Sequence, residues 1–123
     1  MNKITNAQVQ LCKQSLIKKK AEILNRIIEL KNEFQSMDKG SDEVDKAVNN
    51  LAETQFLSRN QQLRQLVMEI EAALSRIQMG TFGVCEETQE IIEVERLMTI
   101  PWTRLSIEGA EIRDLMKTRY NLK

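Results

Sequence analysis

The sequence predicts a mainly α-helical protein: a long antiparallel coiled-coil hairpin, then a small globular lobe and a C-terminal helix. Three observations carry this expectation. Apolar residues step by seven in two separate stretches, Leu16, Ile23, Leu30 and Met37 in the first and Phe56, Leu63, Ile70 and Ile77 in the second. A single interval, Asp38-Lys39-Gly40-Ser41, separates the two with a helix-stopping Gly and a Ser suited to cap the second helix. One Pro and four Gly in the whole chain, with aromatics at 4%, leave little turn chemistry for a sheet protein.

Taken in order, the chain opens on a short polar segment in which Thr5 or Asn6 can cap the first helix, expected to run to about Met37. Ile27 and Phe34 fill the intermediate seam positions, and only Lys20 breaks the seam. Lys18-Lys19-Lys20 reads as a solvated face, and Cys12 as an ordinary helix residue. The second helix is expected from near Asp42 to about Met79, with Leu66, Val67, Ala73 and Leu74 beside its seam. Its middle, Ser58 to Gln62, is polar on all sides and interrupts the apolar stripe, as a weakly packed or partner-facing section would. Arms of about 32 and 38 residues at about 1.5 Å per residue reach about 50 Å.

Gly80-Thr81-Phe82-Gly83 ends the second helix. This places a hairpin at residues 1–79, with an acidic tip at 38–47, and a lobe with its terminal helix at 80–123. In the lobe, Thr88 is expected to cap a short helix carrying Ile91, Ile92, Val94 and Leu97, stopped before Pro101, and Ser106 to cap a final helix with Ile107, Ile112, Leu115 and Met116.

Composition narrows the chemistry. Eighteen basic and eighteen acidic residues leave no net charge to draw the chain to nucleic acid or a membrane surface. The absence of His removes the usual general base and the commonest metal ligand, neither Cys12 nor Cys85 has a partner arranged for nucleophilic catalysis, and no Gly-rich phosphate loop appears. An enzyme is not expected. Two separated cysteines and no leader or spanning segment point to a reducing, cytoplasmic setting. The concentrated feature is Asp42 and Asp45, three apart and so on one helical face; acids there either complement the helix dipole or serve a partner.

The run Ala73-Leu74-Ser75-Arg76-Ile77-Gln78-Met79-Gly80-Thr81-Phe82-Gly83-Val84-Cys85-Glu86 resembles the junction between coiled coil and zinc finger in the DksA/TraR family of RNA-polymerase-binding transcription factors. Arg96-Leu97, Pro101 and Leu105-Ser106-Ile107-Glu108 continue the likeness, and Asp42, Asp45 and Ala47 match the D-x-x-D-x-A of the family's coiled-coil tip. The zinc ligands are not retained: the two C-x-x-C positions hold Cys85, Thr88, Ser106 and Gly109, and a structural site needs four good donors. The lobe is therefore expected to be zinc-finger-like without zinc, as in the family's zinc-free members, with Phe82, Ile91, Leu97, Trp102, Leu105 and Ile107 as an apolar core and no cofactor.

The resemblance implies a monomeric cytoplasmic factor that enters the secondary channel of bacterial RNA polymerase. There it would place Asp42, Asp45 and Ala47 near the active site and alter promoter-complex stability without binding DNA. Arg59, Arg64 and Arg96 are the candidate polymerase contacts. Positions that the family uses to hold the alarmone ppGpp fall on Glu69, Ile100 and Ala110, so synergy with ppGpp in the stringent response is expected to be weak or absent. A structural or adaptor coiled coil that binds a partner helix is the alternative. A transcript-cleavage factor shares the acidic-tip logic but needs a larger β-rich C-terminal domain. Whether Cys85 retains a thiol-sensing role stays open.

Overall fold

The structure, a computed structural model, describes residues 3–36 and 43–121. Among the described residues four helices follow one another: α1 (Asn6–Gln35), α2 (Glu43–Met79), α3 (Val94–Thr99) and α4 (Ile107–Asn121). The bounds of α1 and α2 fall within two residues of those expected from the heptads. The expected stop at Gly40 and cap at Ser41 lie outside the described residues, as does Met37.

The chain groups into two compact units, Lys18–Met68 and Met1–Ile17 with Glu69–Lys123. This grouping cuts across both long helices, whereas the sequence division at residue 79 coincides with a helix end. In the first unit the two arms run antiparallel. Ile23, Ile27 and Leu30 of α1 are buried, with Val67 of α2, and the rings of Phe34 and Phe56 stack with centroids 4.5 Å apart and planes 10° from parallel. Val44, Val48, Leu51 and Leu57 are all exposed, so the first turns of α2 bury little. The polar stretch expected to interrupt the seam does so: Ser58, Arg59, Gln61 and Gln62 are exposed and Asn60 is half-buried.

The second unit is held by local motifs that the sequence spells out. Thr5 and Gln8 form a reciprocal capping box at the start of α1: the Gln8 N–H donates to Thr5 Oγ1 (3.1 Å) and the Thr5 N–H to Gln8 Oε1 (2.9 Å). At the far end of α2, Gly80 adopts φ +79°. The Thr81 N–H bonds the Arg76 carbonyl (2.9 Å) and the Gly80 N–H that of Ile77 (3.3 Å), which is a Schellman closure. Beyond it, the Cys85 N–H donates to the Glu90 carbonyl and the Ile92 N–H to that of Gly83, both at 2.8 Å, closing a tight knuckle in which Val84 and Ile91 form an isolated antiparallel bridge. Ile100-Pro101-Trp102-Thr103 then turns the chain with Pro101 second, the position its fixed φ suits, and the Thr103 N–H returns to the Ile100 carbonyl (2.9 Å).

Cys85, Ile92 and Leu97 form the lobe core, with Ile4, Phe82 and Leu105 packed around them. Several expectations are corrected here. Thr88 does not cap a helix: its hydroxyl accepts the Glu90 N–H (3.3 Å), and α3 starts only at Val94. Backbone pairing across the knuckle holds Ile91 and Ile92 extended, and side chains alternate in such a segment. Ile92 is therefore 1% exposed while Ile91 is half-buried. Ile107, first residue of α4, faces outward at 51% exposure, and Trp102 at the turn is half-buried, not central.

Cys12 proves to be more than an ordinary helix residue. It is 1% exposed, and its thiol donates to the Leu97 carbonyl (3.6 Å) beside Met98 Sδ (3.7 Å), joining α1 to α3. Burial pushes that thiol's pKa up, so it stays protonated and able to donate.

Candidate functional site

Of the tip residues, Asp42 lies outside the described residues and Asp45 is described only as a helical position in α2. Ala47 is exposed in the second turn of that helix. Arg59 and Arg64 are exposed farther along it. Arg96 is half-buried and its Nε donates to the Leu105 carbonyl (2.8 Å), so it ties α3 to the segment before α4.

The four positions aligned with the family's metal ligands come together. Cys85 is fully buried at the knuckle, and its sulfur accepts the Ser106 hydroxyl (3.4 Å) and the Thr88 N–H (3.5 Å). Ser106 is also the N-cap of α4, its oxygen accepting the Gly109 N–H (3.0 Å). Gly109 supplies no side chain, and a Cβ built there would lie 2.5 Å from Cys85 Sγ. These residues do not fit zinc: one sulfur remains, both hydroxyls are engaged in local hydrogen bonds, and the fourth ligand's space is filled by the first ligand's sulfur. Among the described residues no group of three or more His, Cys, Asp or Glu gathers to hold a metal. Burial on its own raises the Cys85 pKa, but hydrogen bonds from Ser106 and Thr88 to the sulfur outweigh it and bring the thiol down to about 6.

A second cluster lies at the base of α2. Glu69 takes both ends of the Arg104 guanidinium, Nε to Oε2 at 3.0 Å and Nη2 to Oε1 at 2.5 Å. This pair borders a cavity of about 360 Å³ shared with Ile100, Trp102 and Arg113. Arg113 of α4 reaches back to Glu87 (3.1 Å) and Glu86 (3.5 Å). Arg76 points its Nη2 at the Trp102 and Thr103 carbonyls (3.4 and 3.5 Å), and burial lowers its pKa. Of the positions aligned with the alarmone ligands, Glu69 and Ile100 line this cavity, and Ala110 is half-buried in α4. The sequence placed Glu69 at an alarmone-aligned position but gave no sign of its partner Arg104, because a contact across 35 residues leaves no local pattern.

No helix among the described residues is long and apolar enough to cross a membrane. No family model matches the chain. An uncharacterized protein of Aquifex aeolicus (strain VF5) is 35% identical over 107 residues, which are 84% of this chain and 74% of that protein. The solved structure of transcription factor DksA2 from Pseudomonas aeruginosa superposes with a TM-score of 0.80 at 28% identity, covering 92% of this chain and 88% of that one. The RNA polymerase-binding transcription factor DksA of Caulobacter vibrioides is 32% identical over 116 residues, 88% of this chain and 77% of its own length. With the same helical hairpin and with identity spread across most of both sequences, the chain belongs to the DksA family.

Proposed function

We propose that the chain binds bacterial RNA polymerase, inserts its hairpin into the secondary channel and there modulates promoter-complex stability and transcription initiation. The observation that carries this is the 32% identity, over 88% of the chain, to a protein named for polymerase binding. The balanced charge of the chain supports action on the enzyme and not on DNA. Asp42, Asp45 and Ala47 act as binding and switching groups near the catalytic centre: carboxylates contact basic polymerase residues, and Ala47, small and exposed, leaves room for close approach. Arg59, Arg64 and Arg96 contribute contacts along the channel rim, the first two from an open helix face. The protein acts as a monomer in the cytoplasm and catalyses nothing itself.

The response to ppGpp is weak in this reading. A polyanion entering the cavity at the base of α2 would have to displace Glu69 from Arg104, and the displaced carboxylate would remain beside it. The test is transcription in vitro from a ribosomal-type promoter, comparing the natural chain with Asp45→Asn at matched polymerase occupancy, with and without ppGpp. The expected result is a shift of transcription by the natural chain, its loss in a variant that still binds, and near-equal effects with and without the alarmone. An unaltered response in the variant would remove the tip from the mechanism, and strong synergy would overturn the alarmone reading.

A further inference from the structure

Midway along the hairpin the flanks of the two arms leave a groove of about 440 Å³. Its walls are two helical rows, Ile27, Lys31 and Phe34 from α1 and Phe56, Asn60 and Arg64 from α2. Because the arms run antiparallel, Phe34 meets Phe56 at one end while Ile27 and Arg64 share the other. Neither wall carries an acid. Elsewhere Arg26 pairs with Glu29 and Glu33, Arg104 with Glu69, and Arg113 with Glu86 and Glu87, whereas Arg59 lines a separate cleft as a single cation; Lys31 and Arg64 differ in facing one groove together, beside an aromatic pair. Among the described residues, Lys31 and Arg64 make no ion pair, and both are exposed.

We propose that this groove docks an acidic segment of the polymerase, its carboxylates meeting Lys31 and Arg64 and an adjoining apolar side chain resting on the Phe34–Phe56 pair. The inference rests on the polymerase-binding reading and assigns one of its surfaces. Charge complementarity selects the occupant, because an acid-free wall with two uncompensated cations attracts carboxylates and repels basic segments. The aromatic pair narrows it further. The rings already stack on each other at 4.5 Å, so no slot remains between them for a flat nucleobase, whereas their outer edges offer apolar surface to a side chain. The cations sit one helical turn apart along the groove, counting across the antiparallel rows, which suits acids spaced by a turn on a partner helix.

The experiment measures binding of the full chain to purified bacterial core polymerase at low and moderate salt. The natural protein is compared with Lys31→Gln/Arg64→Gln, with Lys31→Glu/Arg64→Glu, and with the charge-conserving Lys31→Arg/Arg64→Lys. Far-UV circular dichroism and thermal melting monitor the fold of each variant. The expected result is about tenfold weaker binding for the neutral pair with a shallower salt dependence, a larger loss for the reversed pair, and near-natural binding for the conserving pair, all at unchanged helicity. Equal affinity of the natural and neutral proteins would overturn the groove while leaving polymerase binding intact. Saturable binding of ATP to the isolated chain, lost in the neutral pair, would reassign the groove to a small anion and overturn it too. Failure of the natural chain to bind polymerase would overturn the reading and the groove with it.

Discussion

Gly109 sits in the first turn of α4, where a glycine is a poor helix residue, and the missing side chain is what admits the Cys85 sulfur. Gly109→Ala gains up to about 1 kcal/mol in helix propensity. It also forces a methyl against a short, boxed-in thiol, and overpacking of this kind costs about 1–3 kcal/mol. The lobe should melt earlier in that variant, and adding Cys85→Ala should recover much of the loss. A double-mutant cycle by urea unfolding, read with a probe on the lobe, checks the coupling.

The same sulfur gives the lobe a pH dependence. The folded thiol has a pKa of about 6 against an ordinary 9.0, so the ionised form is favoured in the folded state. The resulting stabilisation is fully present above pH 9.0, shrinks as the pH falls, and is gone below about 6. Melting curves between those limits should rise with pH, and Cys85→Ala should flatten the trend.

At the scale of elements, helix ends and arm contacts carry separable costs. Gly80 stands in the left-handed region with nothing within 4 Å of a Cβ built there. Gly80→Ala therefore tests backbone strain alone and should destabilise the end of α2 by about 1–2 kcal/mol. The arms of the first unit depend on fewer contacts. Phe34 and Phe56 supply a stacked pair worth about 0.5–1.5 kcal/mol beyond the area buried. Replacing both by Leu should lower the unfolding free energy by more than either loss of area accounts for. The paired single variants isolate the aromatic share.

For the whole molecule, a lobe core built from apolar side chains has a direct consequence. Cys85, Ile92 and Leu97, closed over by Ile4, Phe82 and Leu105, hold the lobe through apolar contact, with Ser106 as hinge between Cys85 and α4. Glu93 adds a carboxylate at the start of α4, accepting the Ile107 N–H at 3.2 and 3.3 Å. A strong chelator such as EDTA should leave the melting temperature unchanged. A drop of several degrees would mean that a metal outside the former ligand set supports the fold.

Near-neighbour physics made much of this legible in the sequence. The heptad steps of Leu16 to Leu30 and of Phe56 to Ile70 define both arms, because helical period and apolar burial are properties of residues three or four apart. Thr5 with Gln8, Gly80 with Thr81, and Ser106 with Gly109 are likewise local, each motif closing within a few residues. The loss of the metal ligands could be read from residue types alone. Tertiary structure decided what depends on distant partners. Ile92 is buried instead of Ile91 because pairing across the knuckle sets which face of an extended segment turns inward. Cys12 became a core residue through Leu97, 85 positions away, and Glu69 a partner of Arg104, 35 away. No local pattern encodes such contacts; they exist only once the lobe closes on the helix ends.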